Sequence, residues 1–300
     1  MSKVQNDDNW KIALRSQLIT VITGDPPKRK EIYYNIGRYY QCYAPASLYK
    51  YYSDAPRNLS AVKSNKMWYS TPYKFNDIFD CDICLNREKI FNNTLQMISN
   101  QVIIRPGSPQ WKRLRDAITR ELPRFYSRID ALKKTMGISS LSESEKSLLM
   151  WAHYANNHCG MCVEYDLLEI NRQLKFSPVP VIYSDDRVCL DIVNFEMLES
   201  DAIKIFVESL TSKSLEWSYE KEWRIIRDQS ACGNKWDVKE EGALLDMIRP
   251  SSIILGYAAK PEFEKEMKEY CQSNKINLYK MKKHDTLYAL EKNPILEFKS

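Results

Sequence analysis

The stretch LYKYYSDAPRNLSAVKSNKMWYS, residues 48–70, decides the fold class. Its first part, Leu48 to Tyr51, and its last part, Lys66 to Ser70, are rich in aromatic residues, which favour strands. Between them, Leu59 and Val62 share one face of a short predicted helix over residues 58–65. A strand, a short helix and a second strand therefore follow one another within a single segment.

Outside this stretch, predicted strands and helices alternate without a regular strand–helix–strand repeat. Helices are predicted over residues 9–23, 88–135 with an interruption at 106–109, 142–155, 191–211 and 261–273. Strands are predicted over residues 137–142, 160–166, 179–183, 217–226, 253–256 and 276–281. Ser142 and Glu145 have the spacing of a capping box, which predicts that a helix begins at Ser142. The pattern indicates an α+β protein with a central mixed or largely antiparallel sheet and helical insertions.

The predicted organisation is an N-terminal helical extension over residues 1–46 and a main α+β domain over residues 47–300. A helical insertion occupies about residues 88–135 of the main domain. With 44% hydrophobic and 28% charged residues, the composition is that of an ordinary globular protein and excludes a disordered chain.

The sequence gives no indication of a membrane or export function. It has no run of about 20 apolar residues, so no membrane span and no membrane partner are expected. Residues 1–11 are polar and lack the layout of a signal peptide. The eight cysteines are then expected to be reduced thiols, and the protein is expected to be cytoplasmic.

Positive charge is moderate overall but concentrated locally. The chain has 44 basic and 39 acidic residues, a net charge of +5. The segment Arg105–Arg128 carries seven basic residues against only Asp116 and Glu121. This segment is either a phosphate-contacting surface for nucleic acid or a helix face that is simply solvated.

Two cysteine pairs, Cys81-x-x-Cys84 and Cys159-x-x-Cys162, have the spacing of zinc ligands. A long segment separates the pairs, however, and Cys162 lies inside a predicted strand. Buried cysteines often act as small apolar fillers. We therefore favour buried thiols, and no metal is expected.

Polar residues cluster just after the second strand of the opening stretch. Asn76, Asp77 and Asp80 lie in a predicted loop, where binding groups are often presented. The alternative is a turn in which Asn76 and Asp77 bond their own backbone while Phe75 and Phe79 anchor the loop in the core.

Two later segments also carry candidate site residues. His153 and Tyr154 follow a tryptophan, and a histidine there is either a base or a hydrogen-bonded filler. If residues 217–226 are extended, Glu220, Glu222 and Arg224 point to one side of the strand. Such charges require partners or a solvated cleft. The alternative is an exposed, solvated face on which Arg224 pairs with Glu222. We expect the candidate segments to build one site.

These segments together resemble the bacterial domain-of-unknown-function family numbered 2971, over roughly residues 47–290. The motifs that carry the resemblance are Leu48-Tyr49-Lys50-Tyr51, Trp68-Tyr69-Ser70-x-Pro72 with Phe75-Asn76-Asp77 and Phe79-Asp80, Met150-Trp151-x-His153-Tyr154-Ala155 with Gly160-x-Cys162-x-Glu164-Tyr165, and Trp217-x-Tyr219-Glu220-x-Glu222-Trp223-Arg224. The resemblance implies no assigned chemistry.

At the level of topology, the chain also resembles ADP-ribosyltransferases. That resemblance implies that Tyr49 or Lys50 holds NAD as co-substrate and that Tyr69 and Ser70 line the nicotinamide pocket. It implies that Glu222 is the catalytic acid and that Glu220 helps to activate the acceptor. The expected function is transfer of ADP-ribose to a macromolecular target, protein or nucleic acid, as a toxin or phage-defence effector.

Two other functions remain open from the sequence. One is a nucleic-acid-binding or nucleic-acid-processing protein that contacts phosphates through Arg105–Arg128 and stacks bases on aromatic side chains. The other is a non-catalytic structural or sensing domain of a defence system, in which the polar motifs form a buried network.

Overall fold

The computed structural model describes residues 9–23, 29–99, 103–174, 177–191 and 199–298. The helices are α1 Asn9–Thr23, α2 Arg29–Cys42, α3 Pro56–Lys63, α4 Arg87–Ser99, α5 Pro109–Lys134, α6 Leu148–Tyr154, α7 Leu167–Leu174, α8 Glu199–Leu210, α9 Gln229–Cys232 and α10 Pro261–Asn274, with short 3₁₀ helices at Pro72–Lys74, Leu215–Glu220 and Gly233–Lys235. The strands are β1 Ser47–Tyr52, β2 Lys66–Ser70, β3 Cys84–Leu85, β4 Met136–Ser142, β5 Met161–Asp166, β6 Val179–Pro180, β7 Ile182–Ser184, β8 Cys189–Leu190, β9 Ser212–Ser214, β10 Glu222–Asp228, β11 Trp236–Asp237, β12 Gly242–Asp246, β13 Ser252–Leu255, β14 Asn277–Lys283 and β15 Leu290–Leu296.

The chain forms two compact units from interleaved segments. Unit 1 contains residues 1–37, 71–136 and 182–215, and unit 2 contains residues 38–70, 137–181 and 216–300. Compactness of this kind does not establish domain boundaries. The predicted extension over 1–46 and main domain over 47–300 therefore stay predictions.

Unit 2 is built on a large mixed sheet, which confirms the predicted fold class. The strand order is β11-β12-β2-β4-β1-β5-β13-β14-β15, and β10 pairs with both β4 and β6. Strands β1 and β5 pair antiparallel along their whole length, whereas β13 and β14 pair in parallel. The sheet divides at β4, because this one strand has β1, β2 and β10 as neighbours.

The core of unit 2 is formed around two fully buried tryptophans, Trp151 on α6 and Trp223 on β10. The ring of Trp151 meets Tyr51 edge to face, with centroids 5.2 Å apart, and its indole N–H donates to the carbonyl of Glu145. Aromatic pairs in this geometry add stability beyond the area that they bury. α6 is thereby fixed against β1.

The loop between α6 and β5 has an unusual backbone. Asn156, Asn157 and His158 have φ angles of 47°, 51° and 68°, in the left-handed region. A Cβ on Gly160 would lie 2.0 Å from the carbonyl oxygen of Tyr52. Glycine at position 160 therefore permits a close approach of the loop to the end of β1.

Unit 1 is mainly helical, with two short parallel pairs, β3–β8 and β7–β9. α1 packs against α8, and α4 against α5. The guanidinium of Arg15 on α1 donates to the carbonyl of Thr211 at 3.3 Å and to Ser212 Oγ at 2.8 Å. The predicted helical insertion corresponds to α4 and α5.

Three predictions about local structure are wrong. The helix predicted from Ser142 begins after Ser147, whose side chain caps it. The strand predicted over 179–183 is divided into β6 and β7. The strand predicted over 217–226 begins only at Glu222, because the preceding residues form a 3₁₀ helix.

Parts of two predicted helical segments, residues 100–102 and 192–198, lie outside the described residues. Among the residues that the structure describes, no helix combines the length and the apolar character that crossing a membrane requires.

Candidate functional site

The sequence Glu220-Lys221-Glu222 is fixed at the beginning of β10 by three hydrogen bonds to its carbonyls. Ser142 Oγ donates to the carbonyl of Glu220 at 2.6 Å, and the amide of Glu143 donates to that of Lys221 at 3.1 Å. The amide of Val181 donates to the carbonyl of Glu222 at 2.9 Å. The end of β4 and the end of β6 thus fix the backbone of both glutamates.

Lys221 has a φ angle of 45°, in the left-handed region, which is uncommon for a residue with a side chain. This conformation marks the change from the 3₁₀ helix to the strand. The predicted alternation of Glu220, Glu222 and Arg224 along one strand face is therefore wrong for Glu220. Both glutamates are nevertheless buried, with exposed fractions of 3% and 4%.

Glu222 and Arg224 form a fully buried ion pair. Arg224 Nε donates to Oε1 of Glu222 at 2.8 Å, and an Nη donates to Oε2 at 3.1 Å. Arginine is suited to this arrangement because its planar fork matches both oxygens of a carboxylate. The pair holds the carboxylate in one orientation. It also rules out the solvated face that would otherwise explain these charges.

Lys50 on β1 brings a second cation to Glu222. Its ammonium donates to Ser139 Oγ at 3.0 Å and to the carbonyl of Ser140 at 2.8 Å, both on β4. Burial lowers the pKa of Lys50 to about 8, while the negative charge of Glu222 acts to raise it. An amine with this pKa is present in both protonation states near neutral pH.

Glu220 has a different partner. The phenol of Tyr154, at the end of α6, donates to Oε1 of Glu220 at 2.6 Å. The ring of the exposed His153 lies 6.3 Å from that of Tyr154 and 6.4 Å from that of Tyr219. Five predicted site residues thus lie on elements next to β4. Lys50 is on β1, Tyr154 on α6, Glu220 just before β10, and Glu222 and Arg224 on β10.

The other predicted residues of unit 2 have different partners. The phenol of Tyr49 donates to Glu164 at 3.4 Å, and Tyr49 and Lys50 are successive strand residues, so they point to opposite faces. Tyr69 is fully buried, and burial raises its pKa to about 12 against the opposing effect of Arg227. Ser70 is the last residue of β2 and pairs with Gly242 and Ile138.

Asn76, Asp77 and Asp80 belong to unit 1, so the convergence of all candidate segments on one site stays a prediction. Asp77 accepts from the amide of Phe79 at 2.9 Å, as in the alternative turn interpretation. The predicted anchoring by Phe79 is wrong, because this side chain is 53% exposed. Asp80 is buried, 3.6 Å from the ammonium of Lys213.

The paired cysteines are divided between the units. Cys81 and Cys84 belong to unit 1, Cys159 and Cys162 belong to unit 2, and all four are free thiols. Burial is the main cause that raises the pKa of Cys162 well above its ordinary value. Within the described ranges, no three His, Cys, Asp or Glu side chains are grouped so that they could hold a metal ion.

Sequence reasoning missed three polar residues that support these groups. Ser139 and Ser142 on β4 bond Lys50 and the backbone of Glu220, and Lys213 faces Asp80. Serine in a strand carries no distinguishing signal. The lysine at 213, between two serines, resembles a surface residue in the sequence, although its side chain is only 4% exposed.

The fold and the buried residues define an α+β protein with a glutamate–arginine–lysine group on its sheet. Residues 150–225 match the family model described as Protein of unknown function (DUF2971). The predicted relationship to this domain-of-unknown-function family is therefore confirmed over these residues, which contain the His153-Tyr154 and Glu220–Arg224 motifs. No curated protein and no solved structure matches the chain.

Proposed function

We propose that this protein transfers ADP-ribose from NAD to a macromolecular acceptor. The observation that carries the proposal is the fixed Glu222 carboxylate at the beginning of β10, bound by Arg224 and flanked by Lys50. A preorganised carboxylate is the group needed where positive charge develops in the reaction. Such a transfer suits a cytoplasmic toxin or phage-defence effector.

The reaction breaks the bond between C1′ of the ribose and the nicotinamide nitrogen. The electron pair of that bond leaves with nicotinamide, which neutralises the ring nitrogen, and positive charge develops on the ribose. A nucleophilic oxygen or nitrogen of the acceptor then forms a bond to C1′ and loses its proton. Glu222 stabilises the positive charge, and Glu220 takes the proton of the acceptor.

The chemistry of Glu222 fits this role even though Arg224 occupies both of its oxygens. An ionised carboxylate offers about four lone-pair sites, so an arginine fork on its two oxygens is compatible with a further hydrogen bond from a ribose hydroxyl. Arg224 keeps the carboxylate from rotating, which lowers the entropy cost of binding. In our proposal the ammonium of Lys50, rather than the phenol of Tyr49, donates to NAD, because Lys50 is the one close to Glu222.

Glu220 is suited to the proton-accepting role by its partner. The phenol of Tyr154 occupies Oε1 of Glu220 at 2.6 Å and orients the carboxyl group. In the same proposal, the end of β2, with Tyr69 and Ser70, lines the pocket for the nicotinamide ring. As successive strand residues they point to opposite faces, and Tyr69 is fully buried, so in our proposal it is Ser70 that faces the nicotinamide.

The test uses NAD labelled separately in the nicotinamide and in the adenine ring, incubated with purified protein and cell lysate. Wild-type protein is expected to release labelled nicotinamide and to attach labelled adenine to macromolecules. Glu222→Gln is expected to lower both rates by about 10²–10³-fold. Glu220→Gln is expected to lower attachment more than release, because water can still act as acceptor.

Glu240→Gln is the matched control, since this glutamate lies on an exposed loop and should leave both rates unchanged. Circular dichroism and thermal unfolding establish that each variant is folded. Absence of nicotinamide release by folded wild-type protein across several lysates would refute the proposal. Equal rates for wild type and folded Glu222→Gln would refute the role of Glu222.

A further inference from the structure

The positive charge of the whole protein is concentrated in one helix and the turn before it. The segment Arg105–Lys134 contains nine basic and three acidic residues, a net charge of +6. The complete chain has a net charge of +5. All other residues together therefore carry a net charge of −1, and α5 with its preceding turn accounts for the basic character of the protein.

The arginines of α5 form a row on its exposed side. The opposite side is buried in unit 1 through Leu114, Ile118, Leu122 and Ile129. Arg113, Arg120 and Arg124 are exposed and lie within about 40° of one another around the helix axis. Arg128 continues the row, which extends over about 22 Å from Arg113.

Internal ion pairs compensate only part of this charge. Arg120 and Arg124 share a single carboxylate, Glu121, at 3.6 Å and 2.7 Å. Among the described residues, no carboxylate lies within salt-bridge distance of Arg113 or Arg128. The row thus has a surplus of guanidinium groups that can accept an external polyanion.

Arg115 has a structural role instead and serves as a contrast. Its guanidinium pairs with Glu88 and lies 4.9 Å from the ring centroids of Phe91 and Trp111. This arginine fixes α4 against α5. Within the part of the chain that the structure describes, the only carboxylate paired with the exposed row is that of Glu121.

We propose that the exposed arginine row of α5 is a docking surface for the phosphate backbone of a nucleic-acid duplex. The row consists of arginine, which binds phosphate through two parallel hydrogen bonds. Its length corresponds to about six phosphates of one strand of a duplex. This inference is independent of the proposed transferase activity.

A membrane surface fits the helix less well. Helices that lie in a bilayer interface insert an apolar face, and the apolar face of α5 is buried within unit 1. An acidic peptide would satisfy the charge but not the regular spacing of the row. Because contacts to the phosphate backbone carry no sequence information, binding is expected to be independent of base sequence.

The test measures binding of the full chain to fluorescent DNA and RNA duplexes of about 30 base pairs, at salt concentrations from about 50 to about 200 mM. Each duplex is used in two unrelated sequences. The test variant replaces three residues of the row by glutamine: Arg113, Arg120 and Arg124. The control variant removes three exposed charges elsewhere: Lys265, Lys268 and Lys275.

Wild-type affinity is expected to fall linearly on a logarithmic salt plot, with the same slope for unrelated sequences. The slope of the arginine variant should be smaller by about three, and its affinity at low salt at least about tenfold lower. The control should remain within about twofold of wild type. A preference for DNA or for RNA identifies which duplex is the partner.

The proposal is overturned if wild-type protein binds neither duplex at the lowest salt concentration. It is also overturned if the control loses as much affinity as the arginine variant, because net charge alone would then explain binding. Equal binding of a polyglutamate peptide would identify the surface as a general polyanion site and overturn the assignment to nucleic acid. Unchanged melting temperatures exclude misfolding of the variants.

Discussion

Replacing Arg224 by methionine tests how the site is held together. Arg224 is completely buried and donates two hydrogen bonds to Glu222, which is also buried. Methionine keeps most of the aliphatic volume but leaves the carboxylate without its main partner. Breaking a buried ion pair at one partner costs about 3–5 kcal/mol. The ammonium of Lys50 compensates part of the remaining charge, so we expect a loss of about 3 kcal/mol in the free energy of unfolding.

The assay is urea denaturation followed by circular dichroism. A double-mutant cycle compares Arg224→Met, Glu222→Leu and the double variant Arg224→Met/Glu222→Leu with wild type. The double variant should recover most of the lost stability, because two apolar side chains can replace a buried pair. Arg172→Met is the control, since its pair with Glu169 is exposed and its loss should cause no measurable change. A loss below about 1 kcal/mol for Arg224→Met would refute the reasoning, as would strictly additive effects in the cycle.

Two further predictions concern the backbone and the titration of the site. Gly160→Ala should destabilise the protein by at least about 2 kcal/mol, because its Cβ would lie 2.0 Å from the carbonyl oxygen of Tyr52. Gly37→Ala in α2, where a Cβ meets no atom within 4 Å, is the control and should be neutral or stabilising. Equal changes of melting temperature in the two variants would contradict this prediction. The pKa of Lys50 is lowered to about 8 from an ordinary value of 10.5, so this group binds more protons in the unfolded chain between these values, and Lys50 by itself contributes a rise of stability with pH there. Lys50→Met should remove this rise, and identical pH profiles of wild type and variant would contradict the lowered pKa.

The sheet could be predicted from sequence to the extent that its strands are locally distinct. Lys66–Ser70 was predicted with the bounds that β2 has, because its aromatic residues and the following proline act locally. β15 and β12 were not predicted. β15 contains Lys292, Asn293 and Pro294, and such residues enter a strand only when a neighbour such as β14 provides pairing.

The charged residues of the candidate site could be predicted from the sequence, but the hydrogen bonds that hold them in place could not. Glu220, Glu222 and Arg224 stand out in the sequence because charges in a strand require partners. Whether Glu220 belongs to the strand depends on hydrogen bonds from Ser142 and from the Glu143 amide, which are far away in sequence. Local patterns cannot encode such long-range bonds, so the break at Lys221 was missed.

The division of the sheet at β4 has a consequence for the order of events during synthesis. β4 joins β1 and β2, which precede it, to β10, which is made more than seventy residues later. Contacts of such wide sequence separation form slowly, after local structure. Until β10 is synthesised and pairs with β4, Lys50 has no Glu222 beside it, and β4 is paired only with β1 and β2. If our proposal holds, a chain interrupted before residue 222 would carry the lysine that faces NAD without its carboxylate, and it would be inactive.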